Sequence, residues 1–305
     1  MATQVTNGKA YAYAVAIAMS KVSGCQILDG ADSLHAEKCF SSLAPVLAEK
    51  FSSTAVAAAK VIAARESLST NGSGSIRFQG DSAGQQGDVR DLVIQTQGRA
   101  IGISCKTNHA DLKHARLSRR LNFVSSWGIH SAGCSAEYFQ DIDAVFEMLQ
   151  EQKVTSNGQA LWSEIADVPK SVYWPVLDAW KNELIRALGQ GDDHPKRCKD
   201  FVRYLFGNRD FYKVIGRHNA ERVVSVQGFN FDGTLNTPKT QLPSRLVGID
   251  RLNGGQYSLT VRMDKGFTFN FRIHSASSRV EPSLKFAVSA VSLPPESIFQ
   301  TTFSL

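Results

Sequence analysis

Gly87-Asp-Val-Arg-Asp-Leu-Val-Ile94, followed by Ile101-Gly-Ile-Ser-Cys-Lys106, decides how this chain is read. Two β-like runs, Asp91 to Gln95 and Ala100 to Lys106, flank a stretch from Thr96 to Arg99 whose Gly98 suits a hairpin turn. In a hairpin the start of one strand lies beside the end of the next. Asp91 and Lys106 are therefore expected to converge at one end of a sheet, with Asp88 at the same entrance. Ser104 shares the face of Lys106 because strand side chains alternate.

Outward from the hairpin, the chain before it reads as helical. Asn7 to Lys21 suits a helix capped by Asn7, and a second helical region from Ser33 to Leu68 is interrupted at Pro45. Asn71-Gly-Ser-Gly-Ser75 marks a loop, Ser75 to Phe78 a short strand, and Gly80 to Gly87 another loop. Ala136 to Gln152 and Ser171 to Leu188 carry apolar stripes at helical spacing, and Lys199 to Phe206 reads as a shorter helix. After Gly207 the pattern is mainly β: 211–215, 222–231, 245–250, 257–263, 267–273 and 283–291. Asp232-Gly233 and Asn253-Gly254-Gly255 supply turns between these runs. The expectation is an α+β chain with a helical, hairpin-bearing core over 1–206 and a β-rich region over 207–305 packed on it.

Composition narrows the class of function. An apolar fraction of 43% in 305 residues supports a substantial core. Lys and Arg outnumber Asp and Glu by 34 to 28, a net +6 that favours polyanionic partners. The five cysteines are widely spaced and odd in number, with no zinc spacing, which points to reduced thiols and a cytoplasmic setting. No apolar run approaches the roughly 18 residues of a membrane span. Lys9, the uncharged Ala10 to Met19, and Ser23-Gly24-Cys25 imitate a secretory signal, but the Ala- and Tyr-rich composition fits a capped helix better.

A carboxylate beside an ammonium suits metal-assisted phosphodiester hydrolysis. Oxygen ligands hold a hard ion such as Mg²⁺, which polarises the phosphoryl oxygen and acidifies an attacking water. The amine orients that water or stabilises charge developing on phosphorus. This is the logic of PD-(D/E)xK nucleases. Here Ser104 stands where the second acid is expected, so the missing ligand must come from Asp88, from Glu66 at the end of the preceding helix, or from water.

Directly after Lys106 comes a basic stretch in which Lys113, Arg116, Arg119 and Arg120, with His109 and His114, face one acid, Asp111. Such cations suit phosphate contacts, and Asn108 or Arg116 suits base edges. His109 and His114 are not spaced as a zinc pair, though His109 is placed to assist proton transfer near the metal. A charge run is equally often a solvated face.

These segments together resemble the HaeIII restriction endonuclease family. The likeness rests on Gly87-Asp-Val-Arg-Asp91, Ile101-Gly-Ile-Ser-Cys-Lys106, Asn108-His109 and Lys113-His-Ala-Arg-Leu-Ser118. It continues in Asn7-Gly-Lys-Ala-Tyr-Ala-Tyr13, Val145-Phe-Glu-Met-Leu149, Asp210-Phe-Tyr-Lys-Val-Ile215, Phe231-Asp-Gly-Thr-Leu-Asn236 and Leu242-Pro-Ser-Arg245. Phe271-Arg-Ile-His-Ser-Ala-Ser277 and Val280-Glu-Pro-Ser-Leu-Lys-Phe286 complete it. The resemblance implies a bacterial enzyme that cuts double-stranded DNA at GGCC, between G and C, with Mg²⁺ and a methyltransferase that protects host sites. Catalytic candidates are Asp91, Lys106, Asp88, Glu66, Ser104 and His109, with Asp91, Asp88 and Glu66 ranked in that order as metal ligands. DNA-contact candidates are Asn108, Lys113, His114, Arg116, Arg119, Arg272, His274 and Arg279, with a loop from Ser275 to Ser278 facing the duplex and Lys285 nearby. Two other readings stay open: a DNA-binding protein that has lost its chemistry, and a nuclease centred on His109 and His114. Monomer and homodimer fit the sequence equally.

Overall fold

The structure, a computed structural model, describes residues 4–80, 87–96, 98–108, 111–189, 191–218, 222–252, 257–275 and 277–305. In chain order the first elements are α1 (Gln4–Ser23), β1 (Gln26–Ile27), α2 (Ala31–Ser41), α3 (Pro45–Glu66), β2 (Gly74–Phe78), β3 (Leu92–Thr96) and β4 (Arg99–Thr107). Next come β5 (Lys113–Ser118), α4 (Phe123–Ser126), α5 (Ala136–Thr155), α6 (Trp174–Gly189) and α7 (His194–Phe206). The remainder is β: β6 (Phe211–Arg217), β7 (Val223–Phe229), β8 (Leu246–Arg251), β9 (Ser258–Met263), β10 (Thr268–His274), β11 (Ser283–Ser292) and β12 (Phe299–Ser304). The chain is α+β.

The expected helices and strands are present, with informative differences. Helix α1 begins before Asn7, which therefore lies inside its first turns instead of capping it. Pro45 occupies the start of α3, where its missing N–H costs nothing. Helix α7 starts at His194, five residues earlier than the apolar pattern suggested, with Pro195 in its first turn. Strand β12 was not expected: its alternating, half-exposed residues give only a weak signal. Most of the 80–87 loop and the 253–255 turn lie outside the described residues.

Two compact units divide the chain, and their boundaries interleave. The first comprises 1–110, 207–241 and 295–305; the second comprises 111–206 and 242–294. The expected boundary at 206/207 is one of four crossings, because β4 and β6 pair in parallel. Parallel neighbours need a long crossover connection, and here the connection carries α4 to α7 of the second unit.

In the first unit a seven-stranded mixed sheet runs β1-β2-β3-β4-β6-β7-β12. Small residues let α1 and α3 lie close together and on the sheet. Tyr11, Val15, Met19, Phe51, Ala55, Ala59 and Ile62 share a core with Ile94, Ile101, Ile103, Cys105, Tyr212 and Val214. Because Ile101, Ile103 and Cys105 enter this core, Gly102, Ser104 and Lys106 belong to the other face of β4. The chain's five cysteines are all free thiols. Helix α1 is thus a core helix, and among the described residues no helix is long and apolar enough to cross a membrane.

The second unit holds a five-stranded sheet in the order β5-β11-β10-β9-β8, antiparallel throughout. One face is apolar and covered by helices. Trp180 of α6 packs against Phe271 and Phe286, and Phe201 of α7 stacks on Phe271.

Candidate active site

Strands β3 and β4 form the expected hairpin, with Leu92 opposite Ile103, Ile94 opposite Ile101, and Thr96 opposite Arg99. At the turn Gly98 has a φ of 77°, a conformation that glycine adopts without strain. The open end brings Asp91 and Lys106 together: both line one cavity of about 220 Å³ with Cys105, Thr107 and the first turns of α1. The backbone N–H of Asp91 donates to the Ile103 carbonyl at 2.8 Å, locking the residue to β4. Its Oδ2 accepts from the Cys105 N–H at 2.6 Å and from the Ser104 hydroxyl at 3.3 Å. Among the described residues its Oδ1 has no hydrogen bond, and Asp91 lines the cavity. Ser104, in the place of a second acid, is thus a donor that orients Asp91. Burial, followed by the nearby Asp91 charge, pushes the Cys105 thiol well up, so it stays protonated.

Asp88 is close in sequence but differently engaged. Its carboxylate accepts two hydrogen bonds from the Arg90 guanidinium at 2.7 Å each, another from the Arg90 N–H, and one from Gln79 at 2.7 Å. Burial raises its pKa, but these donors outweigh burial and hold the carboxyl below its usual value. The Arg90 stem passes so close over Gly102 that any side chain there would collide with it. Asp88 does not line the Asp91–Lys106 cavity.

Glu66 reaches the hairpin as expected, but at its turn. It is fully buried, and its carboxylate accepts from Arg99 at 2.6 Å, from the Tyr212 hydroxyl at 2.6 Å and from the Asn236 N–H at 3.0 Å. Arg99 and Lys106 stand at opposite ends of β4, roughly 20 Å apart at the ordinary rise per strand residue. Glu66 therefore cannot share a metal with Asp91. Among the described residues no group of three or more His, Cys, Asp or Glu side chains could hold a metal. His109 lies outside the described residues.

Asn108 also departs from expectation. It takes a left-handed φ of 60°, its N–H donates to Gly216, and its side-chain oxygen accepts from the His218 N–H at 2.9 Å. That oxygen ties the end of β4 to the end of β6. The sequence reading missed Lys9, Gln4 and Gly8, which line the cavity. The one local mark is that Gly8-Lys9 directly precedes the Ala-rich part of α1, where Lys9 is the helix's sole charge before Lys21.

The other DNA-contact candidates belong to the second unit. Lys113 donates to the Tyr204 carbonyl at 3.0 Å and lies 3.6 Å from the centre of its ring. Burial lowers its pKa to about 8, so it is an internal tie. Arg119 is committed to Asp143, through hydrogen bonds of 2.5 and 2.9 Å, and to Glu147. His114 is exposed, 3.8 Å from Asp111. Arg116 and Arg272 are exposed on β5 and β10, and Arg279 is exposed beyond β10. His274 places its Nδ1 at 2.7 Å from the Ser275 carbonyl. Of the 275–278 loop, residue 276 is not described.

The family model of the HaeIII restriction endonuclease matches residues 8–294. The type II restriction enzyme HaeIII of Haemophilus aegyptius is 31% identical over 94% of either chain. No solved structure matches the chain. A match that runs from the α1 lysine through the hairpin and both sheets leaves one conclusion: the chain belongs to the HaeIII restriction endonuclease family and is a type II site-specific deoxyribonuclease.

Proposed function

We propose that this enzyme hydrolyses double-stranded DNA with Mg²⁺ at GGCC, between G and C, through a PD-(D/E)xK-like site built on the β3–β4 hairpin. The observation that carries the reading is the convergence of Asp91 and Lys106 on one cavity, with Ser104 and the Cys105 N–H fixing the carboxylate. A single carboxylate with one unpartnered oxygen fits Mg²⁺, which keeps several waters and takes further oxygens from substrate phosphate. Lewis-acid polarisation of the phosphoryl oxygen and a lowered pKa for attacking water are what Mg²⁺ supplies when bound. Asp91 is the residue that would hold it. Lys106 stabilises charge on the phosphoryl group or orients the attacking water, and Lys9 adds a second cation to the wall of the cavity. Asp88 and Glu66, each saturated by donors, hold the hairpin in shape.

The GGCC specificity rests on the relationship with HaeIII, which also implies a cytoplasmic setting and a methyltransferase that modifies the same site. A sequenced plasmid digested with and without Mg²⁺, with fragment ends mapped, tests the reading. Cleavage is expected only with the divalent ion, with ends between G and C of GGCC. Cutting undiminished in EDTA, or ends at unrelated sequences, would overturn it.

A further inference from the structure

We infer that the face of the second unit's five-stranded sheet opposite its apolar, helix-packed face reads DNA sequence, and that the strands, not the loop after β10, carry the reading. The inference rests on the enzyme's being a site-specific nuclease and names the surface that makes it specific. Phe269, Phe271 and Ile273 of β10 are buried on the apolar face, so Asn270, Arg272 and His274 point away from it. Strand register then assembles a pattern. His274 lies opposite Lys285 of β11, which lies opposite Arg116 of β5, so two cations continue its row across the neighbouring strands. Asn270 lies opposite Thr260 of β9. The balancing acids sit at the margins: Glu281 is 3.8 Å from Arg116, and Asp250 on the edge strand β8 is paired with Arg262.

The second observation concerns hydrogen bonding. Asn270 Oδ1, Thr260 Oγ1 and His274 Nε2 are buried and have no hydrogen-bond partner among the described residues. Unpaired buried polar atoms are costly, and several on one patch call for a ligand that satisfies them. The ligand's chemistry follows from theirs. Because His274 Nδ1 faces a carbonyl, which can only accept, Nδ1 donates and Nε2 is left as an acceptor. Asn270 Oδ1 accepts as well. In the major groove, acceptors are met by the amino groups of cytosine N4 or adenine N6, while arginine pairs with guanine O6 and N7. Arg272 has no hydrogen bond or ion pair among the described residues and stands between these two acceptors on the same strand face. A guanine donor-reader flanked by acceptors suits G·C pairs, with Arg116 and Lys285 on phosphates.

The test separates this surface from the chemistry. Full-length wild type, Arg272→Ala, Asn270→Ala and the milder Asn270→Ser are compared on a duplex with the mapped site and on duplexes with one G·C pair replaced. Circular dichroism melting checks that each variant folds. The variants should lower discrimination between the duplexes roughly ten- to hundred-fold. Arg116→Ala and Lys285→Ala should leave discrimination unchanged but flatten log affinity against log salt by about 0.9 each. The salt slope is read from binding without metal, so it tests the surface even if no strand is cut. Wild-type discrimination and salt slope in all of these folded variants would overturn the assignment. A wild type that binds with the expected slope but never cuts would instead remove the nuclease reading.

Discussion

The two ends of the β3–β4 hairpin each hold a carboxylate against the same strand, and they use it in opposite ways. At the turn, Glu66 is sealed from water and satisfied by Arg99, Tyr212 and Asn236, donors drawn from three separate parts of the chain. At the open end, Asp91 is only partly buried, has one oxygen fixed by Ser104 and Cys105, and shares a cavity with Lys106. A saturated acid is structural; an acid with an oxygen to spare is available for chemistry. Residue type alone does not separate the two.

This contrast breaks if the acids can exchange roles. Asp91→Ala and Lys106→Ala are expected to lower single-turnover cleavage roughly a thousand-fold or more while DNA binding and melting temperature stay close to wild type. Glu66→Ala should do the reverse. Leaving Arg99 and Tyr212 without their buried partner is expected to cost about 3 kcal/mol of stability by denaturant titration, with cleavage per folded molecule retained.

Smaller effects sharpen it. His218, only 6% exposed, packs its ring against Tyr11 and Phe51 beside Gly216, where an added Cβ would lie 2.6 Å from both His218 and the Tyr11 hydroxyl. Burial, followed by the Lys50 charge, lowers its pKa to about 4. The folded protein therefore keeps the ring neutral while the unfolded chain protonates it near 6.5. That stability is complete above pH 6.5 and lost as pH falls through 4, a change of about 3 kcal/mol. His218→Phe should flatten the pH dependence of melting across that window. Asp88→Ala should cost about 1–2 kcal/mol and spare the cleavage rate, because its donors are Arg90 and Gln79 and not the cavity. Ser104→Ala, which removes one long hydrogen bond to Asp91, should slow cleavage by only a few-fold with no change in melting.

The hairpin was readable in advance because its signals are local: β-branched alternation, a glycine at the turn, and an acid and a lysine at matched strand ends. The Ala-rich helix pair was readable for the same reason. What escaped notice depends on distant partners. Nothing near Glu66 announces that Tyr212 and Asn236 will complete its shell, so a buried tie and a metal ligand look alike. Lys113 and Arg119 read as phosphate contacts until Tyr204, Asp143 and Glu147 are seen to claim them. The interleaved units follow from the parallel β4–β6 pair, a contact between strands more than a hundred residues apart in the chain. Lys9 has no distinctive local pattern, since a lone cation near a helix start is ordinary until the cavity beside it is known.

Single-turnover cleavage of a mapped duplex by wild type, Asp91→Ala and Glu66→Gln, each normalised to folded protein, tests the division of labour most directly. The expected result is a dead Asp91 variant that still binds the duplex, beside a Glu66 variant that is less stable but cuts at a near-normal rate. Full cleavage by Asp91→Ala, or a stable Glu66→Gln that binds but cannot cut, would contradict it.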